Sequence, residues 1–228
     1  MAVAALKKTV QSSPEIDPTR AKLIEAAGEV FAEQGFHSAT VREICQRAGA
    51  NVAAVNYYFR DKIGLYSTVL SASIRSAQGE AIEAALAHSS NPEIALRKFI
   101  EEILQRFYSG ARPAWSVRIM AHELAQPTPA LALVVDEALR PRYNHLRAII
   151  ARILSLPPDH ETTRLCAHSV IGQVVHFVHG GPVISILWPA LNMSKPKDLR
   201  MVANHIADFT LRNLRSLARK NHRKEKCL

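Results

Sequence analysis

The sequence has few of the residues that build disulfide-linked or zinc-stapled proteins. Its 228 residues include three widely spaced cysteines, Cys45, Cys166 and Cys227, and no two of them form a C-x-x-C pair. This pattern indicates neither a disulfide framework nor a structural zinc site, and it is typical of a reducing compartment. The first 18 residues contain no long apolar run of the kind that a signal peptide needs. We therefore expect a cytoplasmic protein.

Sequence motifs of common enzyme classes are also missing. There is no nucleophile turn of the G-x-S-x-G kind, no glycine loop for phosphate and no H-E-x-x-H helix. We therefore expect no enzyme and no cofactor. Alternating strand patterns and internal repeats are missing too, whereas helical spacing of apolar residues recurs along the chain. The sequence predicts an all-α fold with a substantial core, since 48% of its residues are hydrophobic.

The net charge of +9 favours an acidic partner such as nucleic acid. Much of it, however, lies at the C-terminus, where residues 212–228 hold seven Lys/Arg and one Glu. Residues 18–66 hold six Lys/Arg and five Asp/Glu. A basic tail, here residues 218–228, is most often a solvated end of the chain. A prediction of DNA binding must therefore rest on pattern rather than on charge.

The N-terminal third shows the start and stop signals of three short helices. After a leader of 17 residues, a helical pattern runs to Gly35, which is placed as a C-cap. Thr40 followed by Glu43 forms a capping box for a second helix, which Gly49 ends. Asn51 then caps a third helix. Two helices joined by a tight glycine-containing turn are typical of a helix-turn-helix motif.

The segment NVAAVNYYFRDK, residues 51–62, has the composition of a helix that lies in DNA. Val55 and Phe59 are spaced to pack inward, and the small alanines let the helix approach the major groove. Asn56 can bond to an adenine edge, and Tyr57 can donate to a phosphate. The predicted DNA-binding residues are Thr40, Arg42, Asn51, Val52, Ala53, Asn56, Tyr57, Tyr58 and Lys62.

Some of these residues also suit structural roles. Tyr58 fits packing against the first helix as well as it fits a phosphate contact. Arg42 fits a surface pair with Glu43 or Gln46 as well as it fits a guanine. The glutamates at positions 25, 29 and 33 form an acidic face that we expect to be solvated.

Beyond Asp61, which is placed to cap a fourth helix, every segment has a helical pattern. Scattered polar residues among apolar ones predict a site for a small organic effector. The candidate effector residues are Phe107, Trp115, Arg118, Met120, His122, Glu123, Gln173, His176 and Phe177. The histidines at positions 168, 176, 179 and 205 leave a transition-metal site as an alternative, but no further ligand completes the set. A regulator without any ligand is the other alternative.

The helix near residues 162–180 is apolar on two sides, and its histidines and the Gly-Gly-Pro break argue against a membrane span. Cys166, Val170, Val174 and Phe177 form one stripe, which we expect to face its own domain. Leu165, Gly172, Val175 and His179 form the other, which we expect to face a partner subunit. An apolar stripe on the last helix, about residues 197–217, completes a predicted four-helix dimer bundle; it consists of Leu199, Val202, Ile206 and Phe209.

At residues 19–66 the sequence resembles the TetR-type transcriptional regulators. The likeness rests on Gly35-Phe36, Thr40-Val41-Arg42, Ala48-Gly49 and the ending Tyr-Tyr-Phe-x-x-Lys at Lys62. The segments AHELAQPTPALALVVDEALRPRY and SVIGQVVHF are similar to the CecR-like subgroup. Many members have tyrosine where this chain has Asn56, so its base preference is open.

The resemblance implies an N-terminal helix-turn-helix domain at residues 18–66 and a helical ligand-binding and dimerisation domain at 67–217. It implies a homodimer on double-stranded operator DNA, with Lys62 clamping the DNA backbone. The expected function is a ligand-responsive regulator, acting as a repressor that a small organic molecule releases. The sequence names neither the effector nor the operator.

Overall fold

The computed structural model of the chain describes residues 17–74, 89–108 and 113–225, the last five by their backbone alone. Within these ranges the regular structure is entirely helical, which confirms the predicted all-α fold. The helices are α1 Pro18–Ser38, α2 Val41–Ala48, α3 Val52–Phe59, α4 Lys62–Ile74, α5 Pro92–Tyr108, α6 Ser116–Ala125, α7 Ala130–Val134, α8 Arg140–Leu154, α9 Glu161–His179, α10 Gly181–Leu187 and α11 Pro196–Glu225. A π-helical turn, Val135–Leu139, joins α7 to α8.

The capping residues predicted from the sequence are the ones that start the helices. Thr40 accepts from the Glu43 amide at 3.2 Å, and Asn51 accepts from the Ala54 amide at 2.9 Å. Asp61 accepts from the Gly64 amide at 2.8 Å. Gly35 breaks α1 with a φ of 74°, and three more residues continue beyond this kink. The helix-turn-helix geometry therefore follows from local signals.

Several helix boundaries differ from the predicted ones. The fourth helix is described only to Ile74; its helical sequence pattern continues to Ala87, and residues 75–87 lie outside the described residues. The predicted leader lies there too, except for Asp17. α10 was not expected, because Gly180-Gly181-Pro182 was interpreted as a stop; Pro182 instead lies in the first turn of this helix, where its missing N–H costs nothing. The π-helical turn ends two residues before Pro141, which lies in the first turn of α8.

No single helix in the described ranges has the length and apolar character needed to cross a membrane. α9 and α10 taken together meet the test of length and composition, but they bend by 79° at their junction.

Two apolar cores are present in the described part of the chain. The first holds the buried residues of α1 to α4 together with those of α6, α7 and the π-helical turn. The second is built from α5, α8, α9 and α11. The helix-turn-helix therefore shares its core with α6 and α7, and the packing does not divide at the predicted boundary after Tyr66.

We call the contact of α6 with α1 and α4 the junction; its residues are Gly28, Tyr66, Trp115, Glu123 and Thr128. The indole of Trp115 lies directly over Gly28 in the middle of α1. Glu123 is fully buried and accepts from the Tyr66 hydroxyl at 2.7 Å and from the Thr128 amide at 2.8 Å. A buried carboxylate with these partners holds α6 at one position on α4, because any shift leaves a charge without partners.

The junction predicts an unusual effect of replacing Gly28 with alanine. A Cβ at this position would lie 2.2 Å from Cε2 of Trp115. Alanine gains about 1 kcal/mol of helix propensity, but overpacking costs about 1–3 kcal/mol. We expect Gly28→Ala to lower the free energy of unfolding measured in urea. In a Trp115→Ala background the same substitution should raise it. An equal loss in both backgrounds would contradict the close packing of Trp115 on α1.

Candidate nucleic-acid interface and regulatory half

One side of α3 is buried, and the opposite side, which we call the bare side, is exposed to solvent. Val55 and Phe59 are buried in the first core, as predicted. The opposite side exposes Val52 at 47% and Tyr57 at 82%, with Ala53 and Asn56 also exposed. An eight-residue helix that presents two apolar or aromatic side chains and an amide to solvent has the size and chemistry to enter a major groove.

The N-termini of α2 and α3 frame this bare side. Thr40 and Arg42 are exposed at the start of α2. The side-chain oxygens of Thr40 and Asn51 are engaged as caps, so these residues act first on their own helices. The arrangement leaves Arg42, Asn56 and Tyr57 with side-chain polar groups that have no partner in the described part of the chain.

Tyr58 and Lys62 differ from the other predicted DNA contacts because they brace the domain. The Tyr58 hydroxyl donates to Asp17, and this bond raises the pKa of Tyr58 and lowers the pKa of Asp17. The Lys62 ammonium lies 4.6 Å from the centre of the Phe36 ring and 3.4 Å from the His37 carbonyl oxygen. Its partial burial lowers the pKa of Lys62. Of the two roles considered for Tyr58, the structure shows the contact with the first helix, because its hydroxyl is bonded to the residue that caps α1.

Arg47 has a positioning role that the sequence interpretation missed. Its guanidinium lies 3.0 Å from each carboxylate oxygen of Glu33, 3.5 Å from Glu29 and 3.6 Å from Glu43. The paired contact lowers the pKa of Glu33 and raises the pKa of Arg47. The acidic face of α1, expected to be solvated, therefore orients α2. The signal was present, since Glu29 and Glu33 lie four residues apart on one helix face.

Arg60 ends α3 in a conformation that side chains seldom adopt. Its φ is 73° and its ψ is −49°. The residue is exposed, and its guanidinium makes no hydrogen bond or ion pair with the described residues. It follows α3 directly, four residues after Asn56. Neither packing nor a salt bridge in the described structure explains an arginine at a position that favours glycine.

The predicted effector residues do not gather around one cavity. Trp115, Met120 and Glu123 belong to the first core, at or beside the junction. The His122 ring bonds to the Ala32 carbonyl of α1 at 3.1 Å. Arg118 is exposed. The Glu123 carboxylate accepts from Tyr66 and Thr128, so at this position the residue predicted to bind an effector forms a contact between helices.

The other predicted effector residues lie in the second half of the chain. Phe107 and Phe177 pack against the second core. Gln173 donates to the Ser169 carbonyl at 3.2 Å, and His176 is exposed. A surface groove of about 530 Å³ lies elsewhere, at the start of α5 and the ends of α8 and α11, and none of the nine residues lines it. In the ranges that the structure describes, no three His, Cys, Asp or Glu side chains lie close enough to hold a metal.

The predicted dimer stripe of the last helix needs a correction. Leu199, Val202 and Ile206 are buried in the second core of their own chain, because α11 turns that side toward α5, α8 and α9. Phe209 alone of the four is exposed, at 62%. The outward stripe of α11 is instead Met201, at 45% exposed, with His205 and Phe209.

On α9 the two predicted stripes mostly hold. Cys166, Val170 and Val174 are buried in the chain's own core, and Phe177 is half-buried beside it. On the other stripe Leu165 is 61% exposed and Val175 is 39% exposed, with Gly172 between them. His179 departs from this stripe because it is half-buried, and its burial lowers the pKa of its imidazole.

Two family models match the chain. Residues 23–69 match the family described as bacterial regulatory proteins, tetR family. Residues 92–214, more than half of the chain, match the C-terminal domain of the HTH-type transcriptional dual regulator CecR. A relative, the HTH-type transcriptional dual regulator CecR of Shigella flexneri, is 27% identical over 210 residues, which cover 87% of this chain and 93% of that protein.

Solved structures with a similar fold include regulators from two other bacteria. FadR from Bacillus subtilis, in complex with stearoyl-CoA, has a TM-score of 0.63 and 19% identity, with 84% of this chain and 97% of that one covered. NalD, the secondary repressor of the MexAB-OprM multidrug efflux pump in Pseudomonas aeruginosa, has a TM-score of 0.58 and 18% identity, with 87% and 97% covered. These likenesses concern the fold.

The strained backbone of Arg60 predicts opposite effects on stability and on DNA affinity. Arg60→Gly relieves a left-handed conformation, and we expect the free energy of unfolding to rise by about 1 kcal/mol. The same change removes a free cation beside the bare side of α3. The slope of log affinity against log salt on DNA should then fall by roughly 1. Arg60→Lys, which keeps both the charge and the strain, is the control. A Gly variant that binds DNA with an unchanged slope would show that Arg60 does not contact phosphate.

Proposed function

We propose, because this chain belongs to the TetR family of bacterial regulatory proteins and to its CecR group, that it is a repressor that binds operator DNA and leaves it when a small organic molecule binds. Membership makes it a DNA-binding transcription regulator and not an enzyme. The observation that carries the proposal is the exposed side of α3, where Asn56 and Tyr57 project from a helix whose other side is buried. We infer a cytoplasmic location, where such a regulator meets DNA.

In the proposed complex α3 lies in the major groove. Asn56 reads an adenine through its amide, and Val52 contacts a thymine methyl group. Tyr57 and Arg42 contact phosphates on either side of the groove, while Thr40 and Asn51 keep the N-terminal amides of their helices directed at the backbone. Lys62 and Tyr58 hold the domain in shape from behind, with Lys62 able to direct its remaining N–H groups to a phosphate.

We propose a homodimer, with α9 and the outward stripe of α11 as the shared face. Gly172 supports this reading, since a Cβ there would meet no atom within 4 Å in its own chain. Glycine in the middle of a helix costs about 1 kcal/mol relative to alanine. A helix of the partner subunit that crosses α9 closely at Gly172 would explain why this position has no side chain. Two copies of α3 then read two half-sites about 34 Å apart.

The effector site is proposed in the C-terminal half, around polar atoms that are not among the residues first expected. Buried polar atoms without a hydrogen-bond partner are costly, and a ligand that bonds to them removes the cost. Such atoms in the described structure include Oε2 of Glu102 on α5, Oγ of Ser116 on α6 and Nδ1 of His179 on α9. Burial raises the pKa of Glu102 and lowers the pKa of His179.

The ligand class that we propose is apolar with a few polar groups. Phe107 on α5 and Phe177 on α9 pack against the second core, and the Tyr108 hydroxyl donates to the Phe177 carbonyl between the two helices. The Bacillus subtilis FadR structure contains stearoyl-CoA, which makes long-chain acyl compounds reasonable members of a screen. Zinc and nickel are the rival ligands, through the histidines of α9.

DNA binding is tested most sharply by a matched pair that removes one hydroxyl each. Tyr57→Phe should weaken binding on all DNA sequences, because the free Tyr57 hydroxyl donates to phosphate. Tyr58→Phe should lower thermal stability but leave affinity nearly unchanged, because its hydroxyl is held by Asp17. Asn56→Ala should relax base preference by about 1–3 kcal/mol at one position. A gel-shift titration in which Tyr58→Phe alone weakens binding would refute this orientation of α3.

Effector binding is tested by thermal shift and gel shift with one compound set. Apolar organic compounds should raise the melting temperature and weaken DNA binding over the same concentration range. Glu102→Leu removes a buried polar atom that has no partner, so the unliganded protein should gain about 1 kcal/mol of stability and lose its response. Glu101→Leu, at a neighbouring half-buried position where the carboxylate already accepts from the Gln105 amide at 3.0 Å, should keep the response. A response to zinc or nickel alone would replace the organic ligand with a metal.

A further inference from the structure

The short helix α10 and the following Trp188 form an apolar projection that we call the α10 arm. Of the seven residues of α10 only Ile184 is buried. Ile186 is 79% exposed, Leu187 is 76% exposed and Val183 is 56% exposed. Trp188 is 47% exposed. Soluble proteins seldom leave four large apolar side chains together in water, so this surface has the character of an interface.

Charge identifies the kind of partner that suits the arm. From Leu165 to Ser194 the chain contains no Lys, Arg, Asp or Glu at all. A helix that binds a lipid surface normally carries basic residues on its polar side, and this segment has none. A two-fold interface brings the same patch of each subunit together, so a patch without charge does not repel its own copy. A second copy of this chain is the partner that this composition fits.

The surface area needed for a stable dimer also favours a second copy of this chain as the partner of the arm. Such dimers bury about 800 Å² or more on each partner, with an apolar centre. The face on α9 and α11 exposes only four large apolar side chains in the described structure, at Leu165, Val175, Met201 and Phe209. The arm starts one residue after α9 ends and turns away from it by 79°. It doubles the number of large apolar side chains that are available to the same partner.

We propose that the α10 arm of each protomer packs against the partner protomer and extends the α9–α11 dimer face. This inference rests on the proposed homodimer and adds a contact to it. The Gly180-Gly181-Pro182 sequence then has a purpose, because it turns the chain sharply enough to direct the arm across the two-fold axis.

Sedimentation over a range of concentrations tests the arm with three variants of the full chain. Ile186→Ser with Leu187→Ser removes the two most exposed side chains of the arm. Leu124→Ser with Leu133→Ser is the control, since both residues are 56% exposed on α6 and α7. Phe209→Arg places a charge in the α9–α11 face. We expect the arm variant to raise the dimer dissociation constant at least about tenfold, the control to leave it unchanged and Phe209→Arg to give monomer.

The possible outcomes separate the arm from the dimer. If the arm variant dimerises like the wild type while Phe209→Arg is monomeric, the arm proposal is wrong and the homodimer stands. If the wild type itself is monomeric at micromolar concentration, both are wrong. Flotation with neutral phosphatidylcholine vesicles gives another outcome: binding that the arm variant loses, with an unchanged dimer constant, assigns the arm to lipid and overturns the proposal.

Trp188 provides a second measurement that does not depend on a weakened dimer. In a Trp115→Phe background Trp188 is the only tryptophan of the chain. Iodide should quench its fluorescence less in the dimer than in the Phe209→Arg monomer, because the partner covers it. Equal quenching in both would place the arm in solvent and contradict the proposal.

Discussion

The buried bond between Tyr66 and Glu123 is the constraint on which the rest of this structure depends. It joins α4, the helix that follows α3, to α6, at a donor–acceptor distance of 2.7 Å. Trp115 packed on Gly28 and His122 bonded to α1 fix α6 at two further points. The helix-turn-helix therefore has α6 as part of its own core, and a movement of α6 moves α1 and α4 with it.

This arrangement gives a physical route for regulation. In the proposed mechanism a ligand among α5, α6 and α9 moves the start of α6, where Ser116 and Trp115 lie in adjacent positions. The junction transmits that movement to the orientation of α3 in each protomer. A shift of a few ångströms between two half-sites is enough to weaken DNA binding, provided that the ligand prefers the shifted conformation by a few kcal/mol. A loose contact in place of the junction would absorb the movement.

The sequence predicted the parts of this structure that depend on local signals. The caps at Thr40, Asn51 and Asp61 and the break at Gly35 are each decided within a few residues. Which helix packs against which other helix is not decided by such local signals. Leu199, Val202 and Ile206 have the spacing of an apolar stripe, but spacing does not say whether a chain's own helices or a partner cover it.

The same limit applies to polar residues. Glu123 looked out of place in an apolar segment because its partner Tyr66 is distant in sequence. Once that partner is in place, the residue that seemed to await a ligand is structural. Other buried atoms do lack hydrogen-bond partners, among them those of Glu102 and Ser116, and nothing in the local sequence marks these two residues.

Through the junction, the helix-turn-helix and α6 should behave as one cooperative unit. Native-state hydrogen exchange in increasing denaturant measures this directly, because it gives an opening free energy for each amide. The amides of α1, α4 and α6 should merge into one unfolding transition, with α5 and α11 free to follow a different one. If the amides of α1 to α4 instead open together at a free energy well below those of α6, the helix-turn-helix is a separate unit, and the junction does not couple it to the regulatory half.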